Sequence, residues 1–356
     1  MNIENSPPAT FSDLLQKTLH CSRYAKRVLE IDPALLDWLQ NNYTTPFDRA
    51  EMQAALQQTG LDPQPSPAIR GGDEGVAHAT STFNDEAELA RTVRQLRKQV
   101  MVKLILRDLN GLADLNEVMH TMTALAEICV QHAQACLMKS LLQLFGSPIG
   151  ESSGTAQELL VIGMGKLGGE ELNVSSDIDL IFVYPEDGQT DGAHSLSNHE
   201  FFSRLGRRLI NMINELTADG YVFRVDMRLR PYGESGPLVT SYAALEEYLV
   251  SQGREWERYA WIKARVVAPA RFPLDETTSH STKLQKTAAK SRVIPNPLDE
   301  TTDMTTSHLT NPAKDAGQVI GYSHSTRLPN NSSQVAGYQD ERKIYRTIVG
   351  TYSAFP

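Results

Sequence analysis

Residues 175–184 read Ser-Ser-Asp-Ile-Asp-Leu-Ile-Phe-Val-Tyr and predict a buried β-strand that begins with two acids. Side chains two apart on a strand share a face, so Asp177 and Asp179 are expected to point the same way while Ile178 points into the core. Like charges so close repel each other, and a divalent cation between them would keep both ionised. The stretch therefore predicts a metal site at the start of a strand.

A second apolar strand, predicted over residues 158–163, leads into the glycine-rich segment GMGKLGG at residues 163–169. This segment is expected to form a turn that exposes backbone N–H groups, and Lys166 adds an ammonium group. A pair of metal ions facing such a turn is typical of proteins that transfer phosphoryl or nucleotidyl groups.

A third strand is predicted over Tyr221–Arg230, where apolar and polar side chains alternate. Asp226 lies on its polar face and is expected beside the first two acids if the two strands are neighbours. In two-metal nucleotidyl transfer, two carboxylates from one strand and a third from its neighbour hold the ions, which makes Asp226 the third candidate ligand. The alternative is a salt bridge from Asp226 to Arg224 or Arg228. These arginines are also candidates for binding substrate phosphates.

The glycine-rich segment also matches the dinucleotide-binding pattern Gly-x-Gly-x-x-Gly, and an acid follows about 20 residues later. A parallel crossover needs about a dozen residues with a helix that starts at the third glycine. Only residues 169–176 separate this glycine from the acids, and Asn173, Ser175 and Ser176 are poor helix formers. The spacing therefore favours a phosphate-handling turn. For the acids alone, a solvated turn or a helix N-cap is the structural alternative.

The composition is that of a globular protein with no general affinity for nucleic acid. The chain has 356 residues, 40% hydrophobic content and a formal net charge of −9. Its three cysteines (Cys21, Cys129 and Cys136) lack metal-type spacing and are expected to be reduced thiols. Because neither a signal peptide nor an apolar run of about 18 residues is recognised, we expect a soluble, cytoplasmic protein that binds no membrane.

Helical periodicity covers most of the first 150 residues. Short helices are predicted from about residue 11 to 60, a loop over residues 61–77, and two longer helices from about Glu86 to Arg107 and from Leu115 to about Phe145. Ser197 and Glu200 predict a capping box at the start of a further helix. One or two helices are expected between residues 242 and 262. From residue 269 the composition shifts to Thr, Ser, Asn and Pro, which predicts a disordered tail.

Three segments resemble a known family: GMGKLGGEELNVSSDIDLIF (163–182), RVDMRLRPYGESGPL (224–238) and WERYAWIKAR (256–265). They are similar to the bifunctional glutamine synthetase adenylyltransferase/adenylyl-removing enzymes of bacteria. The resemblance implies an α+β chain in which a helical N-terminal region precedes a polymerase-beta-like nucleotidyltransferase domain with a small mixed sheet. The expected segments are a helical segment with a loop (1–85), a helical region (86–150), the nucleotidyltransferase domain (151–268) and a tail unrelated to the family (269–356).

The resemblance also implies a set of site residues. Asp177, Asp179 and Asp226 would be catalytic and would bind two Mg²⁺ ions. The residues expected to contact nucleotide and phosphate, the substrates, are Gly163, Gly165, Lys166, Gly168, Ser176, Arg228 and Arg230. The superfamily's Gly-Ser or Gly-Gly dipeptide is expected about ten residues before the acids. Gly165-Lys166 has this distance with lysine in the second place, and we favour it as the phosphate-facing element.

Family members are much longer, with two nucleotidyltransferase halves, and the chain resembles the N-terminal half. In the family this half removes the adenylyl group: phosphate attacks the adenylyl-tyrosine of glutamine synthetase and releases ADP. Glutamine synthetase is therefore the expected partner, with a PII-type signalling protein as a second candidate. The alternative is a truncated, inactive remnant with binding only, to which the compositional change after Ala268 points. A nucleic-acid nucleotidyltransferase would share the acids, but the negative net charge disfavours it.

Overall fold

Four short helices begin the structure, a computed structural model that describes residues 9–57 and 75–269, with side chains defined for residues 9–56 and 85–269. The first three helices start at Thr10, Ser22 and Asp32, whose side chains accept hydrogen bonds from backbone N–H groups of the first turn. The helices are α1 (Phe11–Cys21), α2 (Arg23–Ile31), α3 (Pro33–Asn42) and α4 (Arg49–Gln57). The prediction of short helices in this region is confirmed.

Two long helices follow and pack against each other. They are α5 (Gly75–Leu109) and α6 (Leu115–Phe145). Most of the loop predicted over residues 61–77 lies outside the described residues, but its last three residues belong to α5, which extends beyond both predicted ends. The predicted bounds of α6 are confirmed, because Asp114 caps its first turn and Gly146, with φ 76°, ends it.

A small mixed sheet forms the second half of the fold, as predicted. Its strands are β2 (Leu160–Gly163), β3 (Ile178–Tyr184), β5 (Val225–Asp226), β6 (Val239–Ser241) and β7 (Arg265–Ala268), and β1 (Pro148–Gly150) pairs separately with β4 (Gly188–Thr190). β3 pairs antiparallel with β2 and in parallel with β5 and β6, while β7 adds antiparallel to β2. Because β2 and β3 are antiparallel, the parallel crossover that a dinucleotide site requires is absent there.

The third strand is much shorter than the predicted Tyr221–Arg230. Only Val225 and Asp226 pair as β5. The backbone N–H groups of Val222 and Phe223 both bond to the carbonyl of Ile213, and both side chains are buried, so the expected alternation fails before the strand begins. After the strand, the backbone N–H of Arg228 bonds to a carboxylate oxygen of Asp226, which turns the chain away.

Further helices cover the sheet. They are the single turn α7 (Gly165–Gly168), α8 (Asn198–Asn214), α9 (Tyr242–Ser251) and α10 (Glu255–Ala260), with 3-10 helices at Gly233–Ser235 and Trp261–Lys263. Only half of the predicted capping box forms at α8. The Ser197 hydroxyl accepts a bond from the Glu200 backbone N–H, whereas the Glu200 carboxylate pairs with Arg204.

Strands β2 and β3 are buried on both faces. Val161, Leu180 and Phe182 face the core that includes α6 and α8, and alternate residues such as Ile181 face a second cluster containing Tyr242. Burial on both faces explains why the sequences of these strands are almost continuously apolar. The core of α5 and α6 thus continues into the sheet, and the domain boundaries remain predictions.

Residues 270–356, where a disordered tail was predicted, lie outside the described part of the chain. Within residues 9–57 and 75–269, no helix combines the length and apolar character that a membrane span requires.

We expect Gly206→Ala to destabilise the fold because α8 meets β3 at this glycine. A Cβ at Gly206 would lie 2.8 Å from Cδ2 of Phe182, whose ring is fully buried. Alanine favours a helix by about 1 kcal/mol over glycine, whereas overpacking costs about 1–3 kcal/mol. Urea denaturation should show a free energy of unfolding lower by about 1 kcal/mol. Arg207→Ala, at the exposed neighbouring position, should change it by less than about 0.5 kcal/mol. Equal stability of the two variants would contradict this contact.

Candidate active site

The register of two parallel strands brings the three predicted acids together. Ile178 pairs with Val225, and Asp179 pairs with Asp226. Asp177 directly precedes β3 and is exposed, while Ile178 is fully buried. The acids thus meet where β3 begins, at the edge of the sheet that β5 occupies.

The carboxyl group of Asp179 lies at the centre of this negative cluster. Burial raises its pKa, and the charges of Asp226 and Asp177 raise the pKa further. Arg228 and Lys166 act in the opposite direction. Additional positive charge at this point would favour the ionised form of Asp179, which is the electrostatic property expected of a cation site.

Two arginines pair with two of the acids. Arg224 Nε donates to Asp177 at 2.5 Å, and Arg228 donates to Asp226 from Nε at 2.8 Å and from Nη2 at 2.5 Å. The hydrogen bond from Arg228 lowers the pKa of Asp226. The salt bridge weighed as an alternative for Asp226 is therefore present. Both arginine side chains are largely exposed, at 61% and 72%, so water competes with these pairs and the arginines can exchange partners.

A tight turn before β3 sets the direction of the acids. The side-chain oxygen of Asn173 accepts bonds from the Ser175 N–H and from the hydroxyls of Ser175 and Ser176. Ser176 was predicted to contact nucleotide, but its hydroxyl donates its hydrogen bond to Asn173 within this turn. The importance of Asn173 was missed from the sequence, where it counted only as a poor helix former.

The glycine-rich segment contacts Asp179 directly. It forms one helical turn, α7, in place of the open turn that was predicted. The N–H of Met164 bonds to the Asp179 carbonyl at 2.9 Å. Gly165, at φ +52°, leaves its Cβ position 3.0 Å from Oδ2 of Asp179, and Lys166 beside it is exposed. The favoured dipeptide Gly165-Lys166 thus lies against the acids.

Two of the predicted nucleotide-binding glycines are surrounded by packed protein atoms. A Cβ at Gly168 would lie 1.9 Å from the carbonyl oxygen of Lys263, and one at Gly163 would lie 2.8 Å from Cγ of Leu167. Close packing is therefore sufficient to explain glycine at both positions.

Arg230, another predicted nucleotide contact, holds the loop that follows β5. Its guanidinium donates to the carbonyls of Met227, Glu234 and Gly236. In this arrangement Arg230 shapes the loop, while Arg224 and Arg228 stand at the acids.

A polar row on α6 reaches the sheet, and it was not predicted from the sequence. Glu127, with 2% of its side chain exposed, pairs with Arg265 of β7 and with Arg49 of α4. Gln131 donates to the Val267 carbonyl and Gln134 to the Leu159 carbonyl. Residues 127, 131 and 134 share one helix face, and this spacing within an apolar helix was the signal that could have identified the row.

The three acids fit a divalent cation by their chemistry. Mg²⁺ prefers oxygen ligands, which Asp177, Asp179 and Asp226 supply. Within the part of the chain whose side chains are defined, no group of three or more His, Cys, Asp or Glu residues converges closely enough to hold a metal ion. Arg228 engages both carboxylate oxygens of Asp226 and Arg224 engages one oxygen of Asp177, so a metal ion at this place would compete with these guanidinium groups.

Comparisons with known proteins identify the family of the chain. The family model for glutamate-ammonia ligase adenylyltransferase matches residues 12–279. Proteins described as bifunctional glutamine synthetase adenylyltransferase/adenylyl-removing enzymes are similar to the chain. The protein of Nitrosomonas eutropha is 53% identical over 258 residues, which cover 72% of this chain and 26% of that protein. The protein of Ralstonia nicotianae is 59% identical over 261 residues, covering 73% and 25%.

A third relative, from Chromobacterium violaceum, is 52% identical over 260 residues, covering 73% of this chain and 26% of that protein. The chain thus spans about a quarter of the length of the curated relatives it matches. The family match includes the N-terminal helices from residue 12 and all three acids. From this match we conclude that the chain belongs to the glutamate-ammonia ligase adenylyltransferase family of nucleotidyltransferases.

Proposed function

We propose that the chain removes the adenylyl group from the tyrosine of glutamine synthetase by phosphorolysis, with ADP as the product. The observation that carries this proposal is the pairing of Asp179 with Asp226 beside the glycine turn, in a chain that belongs to this family. The sequence resemblance to the N-terminal, adenylyl-removing half supports this direction over attachment. On the same resemblance alone, we include a PII-type signalling protein as a regulatory partner.

In this proposal the three acids hold Mg²⁺, with two ions as the expected number. The bound metal would supply positive charge that offsets the charge of the phosphodiester. When the acids bind metal instead, the guanidinium groups of Arg224 and Arg228 become available for bidentate hydrogen bonds to phosphate oxygens. Lys166 adds a further positive charge next to Asp179.

The proposed reaction exchanges one phosphorus–oxygen bond for another. An oxygen of inorganic phosphate attacks the phosphorus of the adenylyl group, and the bond from phosphorus to the tyrosyl oxygen breaks. The proton of hydrogen phosphate ends on the tyrosyl oxygen, so the products are ADP and glutamine synthetase with an unmodified tyrosine side chain. The contribution of the chain is to orient the two anions and to balance their charge.

We expect Asp179→Asn and Asp226→Asn to lower the rate of ADP release from adenylylated glutamine synthetase. The loss should be at least about 100-fold, the scale seen when one electrostatic stabiliser of a transition state is removed. ADP can be measured with a coupled assay in the presence of Mg²⁺ and phosphate.

Asp108→Asn is the matched control for these variants, because it makes the same change at an exposed acid near the end of α5. Circular dichroism should show the same fold for all three. Full activity in either site variant would remove the basis for assigning these acids.

Gly165→Ala should lower ADP release because a methyl group there meets Asp179. Gly111 is a matched control, since its φ of +71° is similar and nothing lies within 4 Å of its Cβ position. Alanine in this backbone region costs about 1–2 kcal/mol at either place. Thermal unfolding should therefore show similar losses, whereas only Gly165→Ala should reduce ADP release. A parallel loss of activity in Gly111→Ala would argue against a local effect at the acids.

Removal of metal should stop the reaction. With excess EDTA, ADP release from adenylylated glutamine synthetase should fall to background, and added Mg²⁺ should restore it. Omitting phosphate should also abolish ADP formation. Activity that persists in EDTA would contradict the metal assignment, and transfer of AMP from ATP to unmodified glutamine synthetase would contradict the direction. A folded chain with no turnover at all would favour the binding-only alternative.

A further inference from the structure

The single helical turn α7 is too short to be stable by itself. A helix nucleus is unfavourable until several hydrogen bonds have formed, so four residues need support from outside. No side chain caps its first residue, Gly165. Tertiary contacts must therefore hold the turn in the position where Gly165 meets Asp179.

Arg265 supplies such a contact at the other end of the turn. Its Nη2 donates to the Leu167 carbonyl at 3.0 Å, and its Nε donates to the Gly168 carbonyl at 3.2 Å. Carbonyls at a helix end lack intrahelical partners, and a guanidinium group satisfies two of them at once. One side chain of β7 thus fixes the last two residues of α7.

Glu127 holds the guanidinium group of Arg265 in place. Its carboxylate pairs with Arg265 through one oxygen and with Arg49 through the other. Exposure of the Glu127 side chain is 2% and that of Arg265 is 19%, so this pair is shielded from solvent, whereas Arg49 is 40% exposed. Glu170 adds a weaker contact to Arg265 at 3.4 Å.

We propose that Arg265, oriented by buried Glu127, is a positioning residue that sets the place of Gly165 and Lys166 against Asp179. This inference rests on the proposed function for its effect on turnover, but not for its effect on the turn itself. Arg265 makes no contact with the acids; it acts through the two carbonyls. Through Glu127, the position of the turn is also tied to α6.

The test compares Arg265→Lys with Arg49→Lys. Both variants make the same change at a partner of Glu127 and keep the charge, but only Arg265 touches the turn. A lysine ammonium cannot reproduce the forked contact with two carbonyls. We expect Arg265→Lys to lower kcat for ADP release by about 10- to 100-fold, because small misplacements near the reacting groups have effects of this size. KM for adenylylated glutamine synthetase should stay within about twofold.

Hydrogen exchange gives a readout that does not depend on turnover. The amides of Gly168 and Gly169 bond to the carbonyls of Met164 and Gly165 at 3.0 and 3.1 Å. In Arg265→Lys these two amides should exchange at least about tenfold faster, because the turn opens locally. In Arg49→Lys their exchange and kcat should be those of the unaltered chain.

Equal changes in the two variants, or no change in Arg265→Lys, would overturn the proposal. If Arg265→Lys fails to fold, the double variant Glu127→Gln with Arg265→Gln removes both charges together and should show the same fast exchange. If the unaltered chain releases no ADP, the proposed function fails, and the exchange comparison alone decides whether Arg265 positions the turn.

Discussion

The candidate site depends on one pairing: the parallel alignment of β5 with the first residues of β3. This alignment places Asp226 next to Asp179, although the two acids come from distant parts of the sequence. β3 can serve as the fixed partner because it is buried on both faces and has strands on either side. Only its first residues carry charge, so the burial of the strand determines where the acids lie.

Positive groups of two kinds surround the acids. Arg224 and Arg228 are exposed and bind the carboxylates directly, while Arg265 is shielded and binds backbone carbonyls, Glu127 and, more weakly, Glu170. Exposed pairs exchange easily because water screens them, whereas a buried pair is costly to break. The ion pairs of Arg224 and Arg228 at the acids can therefore exchange partners, whereas the ion pair of Arg265 beside the glycine turn is held in place.

The sequence predicted those parts of the fold that depend on local patterns. The apolar run of β3 and the ends of α6 follow from periodicity and spacing. The nearness of Asp226 to the first two acids was expected only on the condition that their strands are neighbours, a condition that β5 and β3 meet. Contacts between distant residues were not predictable in the same way. β5 has only two residues because the backbone N–H groups of Val222 and Phe223 bond to the carbonyl of Ile213 near the end of α8. No local sequence pattern predicts that contact.

The same limit applied to the residues around the site. Arg230 was predicted from the sequence to contact phosphate, yet its guanidinium donates hydrogen bonds to carbonyls of its own loop. Glu127 and Arg265 are far apart in the sequence, so their pairing becomes visible only once α6 is packed on β7. The role of Arg230 in binding nucleotide remains a prediction.

The brevity of β5 has a consequence for motion. A strand of two residues contributes few backbone hydrogen bonds, so its detachment costs much less free energy than separating β2 from β3. On this ground, loss of the β5 pairing is a smaller step than opening of the central sheet, although the buried side chains of Val222, Phe223 and Met227 still hold the segment. Whatever binds all three carboxylates would oppose that loss.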